Sequence, residues 1–196
     1  MNKQPGPVAE AMDADNVIKS FNLFISEEII SIITMNTNKN IVNFHNMLSE
    51  EQQEKLATSD KYTHLRVTDE IEMTALIGLF YLRGTLQQNN WAYRNIFKHM
   101  IGHPAFASTM SFNRFGFLNS MISFDDASTR TERWKSDRFA AAREIFEIFN
   151  DNCSKALQAG PYMAIDECLY SCRNQVSLNL FFVTLANFDE KSFIFP

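Results

Sequence analysis

The residues with the clearest chemical potential are Asp166 and Glu167, an acidic pair that closes the short apolar run Tyr162-Met163-Ala164-Ile165. A carboxylate at the end of a stiff strand is held in place, and hard oxygen ligands suit Mg2+, so the pair fits metal-dependent phosphoryl transfer. An Asp-Glu pair is equally an ordinary solvated strand end, and spacing alone leaves both readings open. The other reactive side chains are scattered. His99 and His103 stand four apart, which would put two metal ligands on one helix face. Gly102 and Pro104 interrupt that helix, however, and no acid accompanies the pair. His45 and His64 are isolated. Cys153, Cys168 and Cys172 match no common zinc spacing, and an odd cysteine count without an apolar leader reads as reduced thiols in cytosol or nucleus. There is no glycine-rich phosphate loop and no Gly-x-Ser-x-Gly elbow.

Charge supplies a second candidate. The chain of 196 residues carries a net charge of −5, which argues mildly against a general nucleic-acid binder. From Met73 to Phe124, however, there is no Asp or Glu, while Arg83, Arg94, Lys98 and Arg114 stand there beside His99 and His103. The stretch is therefore +4 and the remainder −9. Several cations on one face would meet phosphates; dispersed over solvated helix faces they would do nothing.

These residues need elements to position them, and the composition points to helices. Hydrophobic residues make up 45%, enough for a packed core, while 6 Gly and 5 Pro are too few for a many-stranded sandwich. Residues 1–20 read as a loose, disordered tail. Ser26 is placed to cap a short helix bearing Ile29, Ile30, Ile32, Ile33 and Met35. Ser49-Glu50-Glu51-Gln52 is a capping-box pattern opening a polar surface helix. Thr68 is the next candidate cap, before a stripe of Ile71, Ala75, Leu79 and Leu82 that ends near Gly84. A helix is expected over 92–101, another after Ser111 with Phe112, Phe115, Leu118 and Ile122, and the longest after Asp137, ended by Gly160-Pro161. After Pro161 the pattern changes, and Leu178 to Leu185 is rich in β-formers. No apolar run is long enough to span a membrane, so no membrane partner is expected.

An ordered series of segments resembles the piggyBac-type DDE transposases. Met110-Ser111-Phe112-Asn113-Arg114-Phe115 is similar to the family's Met-Ser-x-Asn-Arg-Phe segment. Ile122-Ser123-Phe124-Asp125-Asp126, Thr129-Arg130, Asp137-Arg138-Phe139 and Arg143-Glu144-Ile145-Phe146 follow at family-like distances, then Asn150, Asn152 and Cys153. Upstream, Asn36-Thr37-Asn38 resembles the family's Thr-Asn helix end. Glu70-Ile71, Ile77-Gly78-Leu79 and Gly84 resemble its Glu-Ile, Gly-Leu and Gly helix, and Trp91 sits where a Trp is frequent. Ile165-Asp166-Glu167 is similar to the Ile-Asp-Glu that carries the first catalytic aspartate. The resemblance covers about residues 21–177.

The resemblance implies a mainly α fold: a helical dimerisation and DNA-binding domain over 21–160, then the first strands of an RNase H-like α/β core at 161–177. It implies cut-and-paste DNA chemistry with Mg2+ held by three aspartates, of which Asp166 would be the first, and terminal-repeat DNA with TTAA target sites as partners. It also implies a homodimer, or a mixed dimer with a full-length transposase, in the nucleus or otherwise the cytoplasm. Arg83, Arg94, Lys98 and Arg114 become the candidate phosphate contacts, with Arg114 equally suited to holding a helix junction. Residues 178–196 depart from the family: its Lys-Pro stretch is missing, and Asp189 lies too close to Asp166 to be the second aspartate. These 196 residues are therefore expected to be catalytically incomplete, needing no metal of their own, with a divergent, poorly held end. A fragment retaining DNA binding or self-association, a transposon relic or partial gene model, and a domesticated interaction protein without DNA binding all remain open.

Overall fold

The computed structural model describes residues 5–160, together with the backbone of 167–169 and 181–183. Its helices are α1 (Val17–Phe24), α2 (Glu27–Asn46), α3 (Glu50–Thr58), α4 (Glu70–Thr85), α5 (Tyr93–Ile96), α6 (Pro104–Thr109), α7 (Phe112–Met121), α8 (Ala127–Ser136) and α9 (Arg143–Ala156). Short 3-10 turns lie at Ala9–Asp13 and Asp60–Leu65. The strands are brief: β1 (Gly6–Pro7), β2 (Leu157–Gln158), β3 (Glu167–Leu169) and β4 (Phe181–Val183). The expected mainly helical architecture is found, and β3 pairs antiparallel with β4, Cys168 opposite Phe182. The remainder of 161–196, including Asp166 and the divergent end, lies outside the described residues.

The chain packs as two units, Glu28–Glu144 and a second that joins Met1–Glu27 to Ile145–Pro196. In the second, residues 5–20 do not form the loose tail expected of residues 1–20, of which 1–4 lie outside the described residues. Gly6 and Pro7 pair with Gln158 and Leu157, and Val8 N–H donates to the Ala156 carbonyl at 3.0 Å. Asn16 caps α1 by accepting from Lys19 N–H. Phe24 meets Phe149 of α9 at 6.3 Å between centroids, and Asn152 donates to the Phe24 carbonyl. Backbone pairing and one aromatic contact thus order a polar stretch whose composition alone promises little. Cys153 on α9 is a free, half-buried thiol whose pKa is pushed up by burial.

The larger unit is built on an aromatic core, which draws on the 18 Phe of the chain. Phe97 lies 5.7 Å from Phe106, 5.7 Å from Phe112 and 5.2 Å from Phe115, and Phe115 also takes the edges of Phe80 and Tyr93. Offset and edge-on rings add to the burial itself. Ile29, Ile33 and Ile41 of α2, Met73, Leu76 and Leu79 of α4 and Leu118 of α7 are also buried.

Several local expectations are realised. Ser49 and Gln52 form both halves of the capping box of α3, and Ser111 caps α7 by accepting from Arg114 N–H. Others are corrected. Ser26 Oγ is buried with no hydrogen-bond partner among the described residues, so it does not cap α2. Asp69, not Thr68, caps α4 by accepting from Glu72 N–H, while Thr68 Oγ1 donates to Glu72 Oε2 at 2.8 Å. The buried face of α4 is Met73, Leu76 and Leu79, while Ile71 is 83% exposed. The helix expected over 92–101 is one turn, 93–96, after which the chain folds back on itself. A side chain at Gly102 would come within 1.8 Å of the Ile96 carbonyl oxygen, so the reversal needs a glycine. Asp137 does not open the long helix; it accepts from Phe139 N–H and binds Arg143, fixing a turn before α9.

Asn36-Thr37-Asn38 is not a helix end either. It lies in the middle of α2, in a polar seam that fastens other segments. Asn38 exchanges two 2.8 Å hydrogen bonds with the backbone of Thr68, and Thr37 accepts from Ser123 N–H. Asn36 donates to the Phe124 carbonyl and Asn40 to that of Met121. Buried backbone groups must be paired somewhere, and here one helix supplies the partners for two loops.

Candidate nucleic-acid interface

The four cations of the acid-free stretch divide into two kinds. Arg114, near the start of α7, is only 5% exposed. Its Nε donates to Glu72 Oε1 at 2.8 Å and Nη2 to Glu72 Oε2 at 2.5 Å. Nη1 donates to the carbonyls of His64 and Arg66, and Nη2 also to that of Val67. All five N–H groups are therefore committed. Of the two roles left open for Arg114, the structure places it in the structural one, tying α7 to α4 and to the loop between α3 and α4. Its hydrogen bonds hold the Glu72 carboxyl below its ordinary range against the opposing effect of burial, with Thr68 helping.

Arg83, in the last turn of α4, is half-buried and turned inward to its own loop. It donates to the carbonyls of Gln88 (3.2 Å), Asn89 (2.6 Å) and Trp91 (3.2 Å), and its guanidinium lies 4.7 Å from the Tyr93 ring centroid. It braces a tight connection in which Gln87 adopts a positive φ of 54°. Arg94 on α5 and Lys98 just after it are different. Both are exposed, and neither has an acidic partner among the described residues. Trp91 and Met100 are exposed on the same connection, and His103 caps α6 by accepting from Ala105 N–H.

A second ionic cluster was not found by sequence reasoning. Asp125, 3% exposed, binds Arg130 through Nε and Nη2 and takes Arg133 Nη2 at 2.6 Å. Burial raises the Asp125 pKa, but the two guanidinium groups outweigh it and leave the carboxyl below its ordinary value. Asp126 beside it is half-buried, and hydrogen bonds from Ser128 and Lys39 hold its carboxyl below its ordinary value. A buried carboxylate this well paired fixes α8 to the core, a role that two adjacent aspartates before a polar helix could have signalled. Among the described residues no three His, Cys, Asp or Glu side chains gather as metal ligands. No helix of the described residues is long and apolar enough to cross a membrane.

Residues 18–182 match the family described as Transposase IS4, a DDE transposase family. The fold matches a solved piggyBac transposase, from a synaptic complex with hairpin DNA, with a TM-score of 0.73 and 27% identity over 85% of this chain. The chain belongs to the piggyBac-type DDE transposases. It spans 32% of the length of that solved transposase. No curated protein gives a significant match. Within a piggyBac-type transposase, the Met-Ser-x-Asn-Arg-Phe segment now has a physical meaning. Ser111 caps α7, Arg114 gathers Glu72 and three carbonyls, and Phe115 is the fully buried centre of the aromatic core. Asp166, which the sequence resemblance puts forward as the first catalytic aspartate, lies outside the described residues, and Glu167 is the first residue of β3.

Proposed function

We propose that these residues serve as the helical DNA-contacting and self-association module of a piggyBac-type transposase, and that they do not complete the family's Mg2+-dependent cleavage chemistry by themselves. The observation that carries this reading is the pair Arg94 and Lys98, exposed and without acidic partners among the described residues, in the stretch with no Asp or Glu. Cations already neutralised by carboxylates gain little from phosphate; free ones release counterions from DNA when they bind. The likeness to a transposase solved with hairpin DNA supports DNA as the partner. Asp166 would act as a metal ligand only where two further carboxylates join it, and the nucleus is the compartment in which such a module works.

The test is binding of the full chain to a mixed-sequence duplex containing TTAA, followed across salt concentration. Affinity is expected to fall linearly on a log-log plot, and the Arg94→Ala, Lys98→Ala double variant to lower the slope by about two. Binding that ignores salt, or no binding at low salt, would leave a protein-interaction role as the surviving reading. Mg2+-dependent cleavage that disappears in Asp166→Ala would overturn the catalytic part.

A further inference from the structure

We propose a second phosphate contact, at Arg138, held in position by Trp134. The inference rests on the DNA-contacting reading above and names a site outside the acid-free stretch.

On α8 and the turn after it, the other cations are matched by acids. Lys135 pairs with Glu132 at 2.8 Å, Arg130 and Arg133 share Asp125, and Arg143 binds Asp137 at 2.9 Å. Arg138 is exposed and has no carboxylate partner among the described residues. Its guanidinium instead lies over the exposed indole of Trp134, 3.8 Å from the ring centroid. Stacking of this kind covers the face of the guanidinium and leaves its N–H edge outward, the edge that grips a phosphate with two parallel hydrogen bonds.

The backbone beneath is braced. Arg133 Nη1 donates to the Ala140 carbonyl at 2.9 Å, tying α8 to the turn. Asp137 accepts from Phe139 N–H at 2.9 Å and holds Arg143 on the far side. Arg138 thus projects from a turn fixed on both flanks, with its head group already oriented. A long cation that binds phosphate normally loses rotamer freedom on doing so, and this one has surrendered much of it beforehand. The ligand is a phosphodiester of duplex DNA. Arg138 is the contact and Trp134 a positioning residue.

The experiment is fluorescence anisotropy of a labelled mixed-sequence duplex with the full chain, between about 50 and 200 mM salt. Arg138→Ala is expected to lower the log-log salt slope by about one. Arg138→Lys and Trp134→Ala both keep a cation and should retain the slope while weakening binding about two- to fivefold, and Trp134→Phe should restore it. Arg138→Ala with wild-type slope and affinity, while the Arg94 and Lys98 double variant lowers the slope, would overturn this site and leave the DNA-contacting reading standing. Salt-insensitive binding by the unaltered chain would end both. Should Arg138→Ala fail to melt cooperatively, Arg138→Lys decides: wild-type affinity in that variant refutes the stacked contact.

Discussion

Replacing Arg114 by alanine removes a fully committed guanidinium from a nearly dry site. The change strips two hydrogen bonds from Glu72, whose side chain is 16% exposed, and unpairs the carbonyls of His64, Arg66 and Val67. Breaking a buried pair by removing one partner costs about 3–5 kcal/mol, because the surviving charge keeps its desolvation penalty without its counter-ion. Against a typical domain stability of about 5–15 kcal/mol, that is a large share. At roughly 2–4 °C per kcal/mol for a chain of this size, the melting temperature should drop by about 6–20 °C. Arg114→Lys should recover only part, since an ammonium cannot serve Glu72 and three carbonyls together. The loss also carries a pH signature. Arg114 lowers the folded-state pKa of Glu72 from its ordinary value of 4.5, so the folded state favours the ionised form. That stabilisation is complete above the unfolded pKa and is lost as pH falls through the folded one. The gap between wild type and Arg114→Ala should therefore be widest near neutrality and narrow on acidification below about 4.5. Urea denaturation followed by circular dichroism at neutral and acid pH measures both effects. A variant within about 1 kcal/mol of wild type at neutral pH would refute the assignment of Arg114 as a structural hub.

Two further outcomes separate the structure from simpler readings. Phe115→Ala should cost about 3–5 kcal/mol in chemical denaturation, whereas Ile71→Ala should stay within about 0.5, because Phe115 is fully buried and Ile71 faces solvent. Arg83→Ala should lower stability by about 1–3 kcal/mol through its three carbonyl bonds and leave the salt slope of DNA binding unchanged; a lowered slope at wild-type stability would show that Arg83 faces phosphate instead.

Much of the helical scaffold is legible in the sequence because its signals are local. The capping box at Ser49 and the cap at Ser111 are each contained within four residues, and both form. The phase of α4 is not local. Leu76, Ile77, Leu79, Phe80, Tyr81 and Leu82 make that helix apolar nearly all round, so several faces satisfy a three-four spacing. In the structure Phe80 meets Phe115; Met73, Leu76 and Leu79 are buried, and Ile71 is left outside. Helix α8 has almost no apolar periodicity, and its attachment comes from Arg130 and Arg133 reaching back to Asp125. Asn36-Thr37-Asn38 resembles a family helix end, and Asn and Thr side chains do compete for backbone groups. In the structure they do so, but for the backbones of residues 68 and 121–124 rather than their own.

The same distinction governs the candidate DNA surface. A stretch without Asp or Glu looks as though its cations must be free, since no nearby carboxylate can claim them. Arg83 and Arg114 show why that does not follow. Carbonyl oxygens are acceptors that a sequence cannot reveal, and a carboxylate 42 residues away serves as well as a neighbour. Conversely, Arg138 stands next to Asp137 in the chain, yet that acid is engaged by Phe139 N–H and Arg143. Local charge density therefore misassigns both kinds of residue. What distinguishes a cation available to phosphate is the absence of committed acceptors around its own N–H groups, a criterion that Arg94, Lys98 and Arg138 meet among the described residues.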